Sequence, residues 1–419
     1  MTATLEVNRK NRARGRRLAA VVIVVGLLIA TVAFVLRFQQ TTARDLLDRK
    51  RWSEARKTLG WLLKIRPGNS TLRLMMAESY AKDDSGSAEG NASAAIEHMR
   101  QIPDQAPEGP DARMYEARLT FLVLRRPYEA ERLVRHALKL TPSSADARLL
   151  LWTILGMTGR EELAEPVFRE LYDLGPAAAR LGYLRNWYFS QIDPLRMTAS
   201  LDERMGFRES ETESTRRVEL KRLLAIRALE PEEPSAHAAV ARWFQAEGDP
   251  EQALLVLEQG DRLPTARDDS FFVATFIDVL IEAGQFERAA ELLKLWQEPH
   301  PRHAYLRLQG ILREDLDRDY RAAADAYSQA ETLWPGPTDW KCRFRFANCL
   351  TLIGESARAE EVRHRAEQVR DLFSPRSQDQ LRKALEGPDR RENLERILDF
   401  YRILGREDEV SFWRATAGT

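Results

Sequence analysis

The side chains best able to do chemistry in this chain are its six histidines and two cysteines. His300 and His303 are close together, in the stretch EPHPRH. Two histidines without a third ligand make a poor zinc site. Cys342 and Cys349 are seven residues apart in a helical stretch. That spacing corresponds to about 10 Å along a helix, too far for a disulfide. We therefore predict solvated loop histidines, two buried free cysteines and no metal site.

Other catalytic patterns are missing from the sequence. The glycines form no phosphate-binding loop, and neither G-x-S-x-G nor H-E-x-x-H occurs. The carboxylates alternate with arginines, as in REDLDRDYR, which is typical of solvated helix faces. We therefore predict a protein that is not an enzyme and has no cofactor. The alternative is an enzyme with a site in residues 178–232, lined by Trp187, Tyr188 and Asp193.

Charge is unevenly distributed, although the formal net charge is zero. Residues 1–17 carry six basic residues and one acidic residue, and residues 18–36 form an uncharged run of 19 residues. Such a run spans about 28 Å, close to the hydrocarbon thickness of a bilayer. The basic flank predicts a single-pass bacterial inner-membrane protein with a cytoplasmic N-terminus and a periplasmic C-terminal domain. A cleaved signal peptide is the alternative. The acidic remainder offers no surface for nucleic acid.

The elements that position these residues recur along the chain. In PYEAERLVRHALKLTP, Ala130 is followed by apolar residues at +4 and +7 and by proline at +12. Spacings of 4 and 7 lie on one helix face, and proline ends the helix. The same alanine-to-proline interval starts at Ala55, Ala95, Ala164, Ala289 and Ala323, and is one residue shorter at Ala253. Glycines suited to a tight turn stand five residues before four repeat alanines, at Gly159, Gly248, Gly284 and Gly354.

This period near 34 residues resembles the tetratricopeptide repeat (TPR). The resemblance covers about two-thirds of the chain and implies an all-α fold, an α-α superhelical solenoid of TPR-like helix pairs, preceded here by one transmembrane helix. The predicted segments are a basic cytoplasmic tail (1–17), the transmembrane helix (18–36), TPR-like repeats (37–177), an atypical helical insertion or degenerate repeat (178–232), further TPR-like repeats (233–370) and a C-terminal helical cap (371–419).

In tetratricopeptide repeats the first helix of each pair lines a groove that binds an extended peptide or a partner helix. The matching groove positions, eleven and eight residues before the repeat alanine, are Arg242, Gln245, Asp278, Ile281, Asn348 and Thr351. The aromatic residues Trp61, Trp296, Tyr327 and Trp334 are expected in repeat packing.

The resemblance thus implies a membrane-anchored scaffold or adaptor, held in the membrane by residues 18–36. It would bind a protein partner on the extracytoplasmic side, in envelope assembly, chaperoning or export. No small-molecule substrate is inferred. The alternative is an obligate structural subunit of a larger membrane complex.

Overall fold

The structure, a computed structural model, describes residues 30–192, 201–203, 205–208 and 214–417. Within these residues the chain is helical and contains no β-strand. Two compact units make up the chain, Met1–Leu124 and Arg125–Thr419. The all-α class predicted from the sequence is therefore confirmed.

Short turns join the helices of the first unit. These helices are α1 (30–48), α2 (Trp52–Ile65), α3 (Ser70–Ala81), α4 (Ala88–Arg100) and α5 (Gly109–Leu122). Asn69 caps α3 by accepting a hydrogen bond from the backbone N–H of Leu72 at 2.9 Å. The repeat alanine Ala55 is fully buried with Leu59 and Leu62, on the face of α2 that the 4-and-7 spacing predicts.

The predicted membrane anchor is not confirmed. Residues 1–29, which hold the predicted basic tail and most of the predicted helix 18–36, lie outside the described residues. The described helix α1 is charged from Arg37 onward, which leaves a short uncharged part. Among the helices of the described residues, none has both the length and the apolar composition that crossing a bilayer requires. The predicted location, a single-pass inner-membrane protein with a cytoplasmic N-terminus and a periplasmic C-terminal domain, is therefore wrong.

The second unit is also helical throughout its described part. Its helices are α6 (Pro127–Leu140), α7 (Ala145–Met157), α8 (Glu161–Leu174), α9 (Ala177–Gln191), α10 (Thr215–Leu229), α11 (Pro234–Ala246), α12 (Pro250–Gly260), α13 (Ser270–Glu282), α14 (Phe286–Leu295), α15 (Arg302–Asp315), α16 (Tyr320–Ala330), α17 (Trp340–Leu352), α18 (Ser356–Leu372), α19 (Pro375–Glu386), α20 (Arg391–Ile403) and α21 (Glu407–Ala417). Two 3-10 turns, Ala266–Asp268 and Gly336–Thr338, precede α13 and α17.

Helix pairs follow the register of the sequence repeat in α11–α18. Gly248, Gly284 and Gly354 turn the chain between the two helices of a pair with φ of +80°, +71° and +89°, values that favour glycine. The repeat alanines Ala253 and Ala289 are fully buried where paired helices cross. A small side chain at such a crossing lets the two helix backbones approach closely. The pairing therefore has a local cause that can be read in the sequence.

The C-terminal helices pack against α8 and α9. Tyr401 of α20 is buried against Trp187 of α9, with ring centroids 5.4 Å apart. Phe412 of α21 stacks on Tyr172 of α8 at 4.2 Å. The sequence predicted these helices as a cap on the open end of the repeats. They also pack against α8 and α9, some 230 residues earlier in the chain, because aromatic side chains of the two segments contact each other there.

Candidate functional site

The first helices of successive pairs in the second unit, α11, α13 and α15, present side chains to one cavity of about 200 Å³. On α13 the spacing of Phe271, Thr275 and Asp278 places them on one face. The opposite face, with Phe272 and Phe276, is buried in the core and fixes the rotation of the helix. We call the cavity-lining surface of α11, α13 and α15 the groove.

Arg242 of α11 stands at one side of the groove. Its guanidinium donates a hydrogen bond to the backbone carbonyl of Gly159 at 2.8 Å and lies over the Phe271 ring, 5.4 Å from the centroid. A guanidinium over an aromatic face is attracted by the ring quadrupole. These contacts hold Arg242 between α13 of the next pair and the turn that connects α7 to α8.

An ion pair spans the middle of the groove. The Arg307 guanidinium of α15 donates to the Asp278 carboxylate of α13, and both side chains are about one-quarter exposed or less. Burial alone would lower the pKa of Arg307, but the adjacent Asp278 carboxylate outweighs it and raises the pKa above its ordinary value. Arg307 is therefore permanently charged, and the pair fixes α15 against α13.

The groove already has a neighbour from its own chain. Gly159, Glu162 and Leu163, in the turn before α8 and its first turn, line the cavity opposite α11, α13 and α15. Besides the Arg242 contact with Gly159, a Glu162 carboxylate oxygen lies 3.8 Å from Nδ1 of His303. The first helices of these repeats therefore face α8 across the cavity.

The six predicted groove residues separate into three sets. Arg242, Gln245 and Asp278 line the cavity together. Ile281 is partly buried and packs against the apolar cores on either side of it. Asn348 and Thr351 are exposed on α17 outside this cavity, and the Thr351 hydroxyl donates to the Ala347 carbonyl of its own helix at 3.0 Å. All six remain a prediction as partner-binding residues.

Sequence reasoning missed Phe271, Arg307 and the segment around Gly159 as cavity residues. Arg307 lies sixteen residues before Ala323, outside the eleven-and-eight register. Phe271 stands beside the buried Phe272 in an apolar run and reads as core. No local signal places the α7–α8 turn near α11, since that contact spans 83 residues.

Other chemistry-bearing residues are placed as follows. Cys342 and Cys349 are buried and free, as predicted. The prediction of a solvated His303 is wrong, because its side chain is 4% exposed. The described residues contain no group of three histidine, cysteine, aspartate or glutamate side chains that could hold a metal.

The aromatic residues of the alternative enzyme site are core residues. Trp187 and Tyr188 are both fully buried, and Asp193 lies outside the described residues. Of the expected packing aromatics, Trp296 and Tyr327 are buried and Trp334 contacts Trp187 at 5.2 Å. Trp61 is 46% exposed, so its predicted packing role is wrong.

Comparison with known proteins gives likenesses of fold. No protein-family model and no curated protein matches the chain. PilF of Pseudomonas aeruginosa, a TPR-type structure, is 21% identical, with a TM-score of 0.26, over 55% of this chain and 93% of PilF. The Cut9–Hcn1 hetero-tetramer of APC/C, also TPR-type, is 11% identical, with a TM-score of 0.38, over 91% of this chain and 86% of that chain. Both likenesses are remote and carry no argument about this chain. The described residues themselves form TPR-like repeated helix pairs in the register of the sequence repeat.

Proposed function

We propose that this chain is a non-catalytic scaffold that binds a protein partner in the groove of α11, α13 and α15. The observation that carries the proposal is the convergence of Arg242, Gln245 and Asp278, three residues selected by repeat register, on one cavity. Stacked helix pairs present such first-helix faces as continuous binding surfaces. The groove combines fixed charges with the apolar surface of Phe271 and Ala304, which suits an extended peptide or a partner helix.

Crosslinking of the tagged full chain in cells, followed by affinity capture and mass spectrometry, tests this proposal. The test variant is Arg242→Ala/Asp278→Asn, in which the asparagine at 278 keeps a hydrogen-bond acceptor for Arg307. The control variant changes exposed charges elsewhere, Arg396→Ala and Asp371→Ala. One stoichiometric partner that the control retains and the test variant loses is the expected result. Equal capture by both variants contradicts groove binding.

A second candidate role is an obligate subunit of a larger assembly. It is favoured by large apolar side chains exposed on α1, where Phe34 is 70% and Phe38 is 60% exposed. Exposed apolar patches often mark interfaces. Expression of the full chain alone distinguishes the two roles by light scattering. A monodisperse chain supports the free-standing scaffold, whereas aggregation relieved by Phe34→Ser/Phe38→Ser supports the obligate subunit.

A further inference from the structure

Two further segments of the second unit bound the groove on the side opposite α11, α13 and α15. Gly159 and Leu163, in the turn before α8 and its first turn, line the cavity, as does Pro335 in the turn after α16. We call the cavity of about 200 Å³ between these walls the socket. We infer that a protein partner binds here by inserting one aromatic side chain, a tyrosine, into the socket. This inference rests on the proposed function and names the group that the groove recognises.

The walls opposite the groove are fixed parts of the fold. In the α7–α8 turn, the buried Arg160 guanidinium pairs with Glu131 of α6. Next to Pro335, the Trp334 indole donates a hydrogen bond to the Gln191 side chain of α9 at 2.9 Å. The socket is therefore preformed, and a side chain that enters it does not have to order its walls.

The size and the apolar wall of the socket fit an aromatic ring. Phe271 and Ala274 of α13 line it with Ala304 of α15, and the Phe271 ring is only partly buried. An engineered apolar cavity of about 150 Å³ in another protein holds benzene, so the socket has room for a ring with one polar substituent. Aromatic rings attract each other in offset or edge-to-face contact. A ring beside Phe271 therefore gains a contact that an aliphatic side chain of the same size lacks.

A hydrogen-bond acceptor in the socket favours tyrosine over phenylalanine. Asp278 lines the socket and is 25% exposed, and its Oδ2 accepts a hydrogen bond from Arg307. Its Oδ1 accepts no hydrogen bond from the residues that the structure describes. A carboxylate oxygen is a strong acceptor for a hydroxyl group. A phenolic hydroxyl that reaches Oδ1 would therefore add a hydrogen bond to the ring contact.

The spacing along α13 lets one tyrosine make both contacts. Ala274 lies three residues after Phe271 and four before Asp278, which corresponds to about 4.5 Å and about 6 Å along the helix axis. A ring packed on Ala274 thus has Phe271 on one side and the Asp278 carboxylate on the other. Fixed charges disfavour other polar side chains, because a lysine or arginine would meet Arg242 and Arg307 and a glutamate would meet Asp278. A neutral aromatic donor remains the best fit.

Titration of the full wild-type chain with three capped amino acids, followed by NMR of the ligands, tests the recognition step. The probes are N-acetyl-tyrosinamide, N-acetyl-phenylalaninamide and N-acetyl-leucinamide. The tyrosine amide should bind with about millimolar affinity, and about tenfold or more tightly than the phenylalanine amide, because it adds a hydrogen bond to a charged group. The leucine amide should bind most weakly. Equal affinity for the tyrosine amide and either of the others, or no binding of any probe, overturns the inference.

The variant Ala274→Leu fills the socket, and Ala290→Leu is its matched control. Both alanines pack half-buried against the same apolar core, but Ala290 lies on α14 and does not line the socket. Ala274→Leu should weaken binding of the tyrosine amide about tenfold or more, whereas Ala290→Leu should bind it like wild type. Unchanged affinity in a folded Ala274→Leu chain overturns the inference. The comparison of the three probes on wild type needs no substitution, so it decides even where Ala274→Leu unfolds the second unit.

Crosslinking and capture in cells separate this inference from the proposed function. A partner that Ala274→Leu loses and Ala290→Leu retains is the expected result and supports both. A partner that Ala274→Leu retains and Arg242→Ala/Asp278→Asn loses leaves the proposed function standing and overturns the inserted tyrosine. Binding of the tyrosine amide without any captured partner overturns both, because the socket then takes a free aromatic small molecule.

Discussion

Replacement of Arg406 by alanine should destabilise the second unit more than any exposed charge removal. The guanidinium is buried, lies 4.4 Å from the centroid of the Trp334 ring and 5.1 Å from that of Trp187, and pairs with Glu165 and Glu409. Alanine removes this cation and leaves the two buried carboxylates with Arg169 alone, which lies 3.2 Å from each. Arg406 joins the C-terminal helices to α8 and α9. Its loss should therefore weaken the packing between them.

The expected magnitude follows from burial. Breaking a buried ion pair by removing one partner costs about 3–5 kcal/mol, because the remaining charge is uncompensated. Contact of the guanidinium with two rings contributes up to about 2 kcal/mol when desolvated, and part of it is already contained in that figure. Because Arg169 still pairs with both carboxylates, we expect Arg406→Ala to lower the free energy of unfolding by about 3 kcal/mol, the lower end of that range. The matched control is Arg402, which is exposed and paired with Asp399 one turn away. Arg402→Ala should lower the free energy of unfolding by about 0.5 kcal/mol or less.

The pH dependence gives an independent signature. Burial raises the pKa of Glu409 in the intact protein, against the lowering effect of Arg406 and Arg169. Without Arg406 only Arg169 lowers that pKa, so the pKa rises further and protonation of Glu409 relieves the repulsion between the two carboxylates. For an acid whose pKa is raised in the folded state, stability is present at low pH and is lost as the pH rises through the folded pKa. The cost of Arg406→Ala should therefore shrink between pH 8 and pH 5.

Urea titration followed by tryptophan fluorescence gives the free energy of unfolding at each pH. Hydrogen exchange then locates the loss, with the helices of the first unit as an internal control. Amides of α8, α9 and α21 should lose protection, whereas those of α2–α5 should not. A cost for Arg406→Ala no larger than that for Arg402→Ala, at any pH, would refute the reasoning.

Three further predictions concern individual residues. Glu230 is buried beneath the N-terminus of α6, and burial raises its pKa from 4.5 to about 7 against the two backbone N–H groups that lower it. Hydrogen exchange should therefore show α6 losing up to about 3 kcal/mol of protection as the pH rises from 5 to 8, and Glu230→Gln should flatten that dependence; an unchanged slope contradicts the assignment. Burial raises the pKa of Cys342 and Cys349 to about 12. Iodoacetamide at pH 8 should therefore label both thiols in urea but not in buffer. Fast labelling of the folded protein would contradict this prediction. Thermal melting should show that Gly284→Ala, at φ +71°, destabilises by about 1 kcal/mol, while Gly182→Ala, helical with open space around it, does not; equal effects would count against the turn geometry.

The helix pairs could be predicted because their causes are local. An alanine such as Ala253 and a glycine such as Gly248 act within a few residues of their own turn, through close helix crossing and positive φ. The same register selected Arg242, Gln245 and Asp278, which the fold brings to one cavity. Ile281 shares that register but packs into the core, because register gives the helix face and not the depth of each side chain.

Contacts between distant segments could not be predicted from the sequence in this way. Arg406 and Glu165 are 241 residues apart, and either alone reads as a solvated charge on a helix. His303 looked like a loop residue near prolines, yet α15 begins at Arg302 and the His303 ring is buried. Three features all depend on the tertiary packing of the second unit. They are the contact of the α7–α8 turn with the groove, the Arg406–Glu165 ion pair, and the packing of the C-terminal helices on α8 and α9.

The measurement that tests the central claim most directly is hydrogen exchange of the full chain with and without its captured partner. A scaffold that binds through the groove predicts new protection in α11, α13 and α15 when the partner is bound. Protection confined to the second helices α12, α14 and α16, or to the first unit, with the groove unchanged, would contradict it.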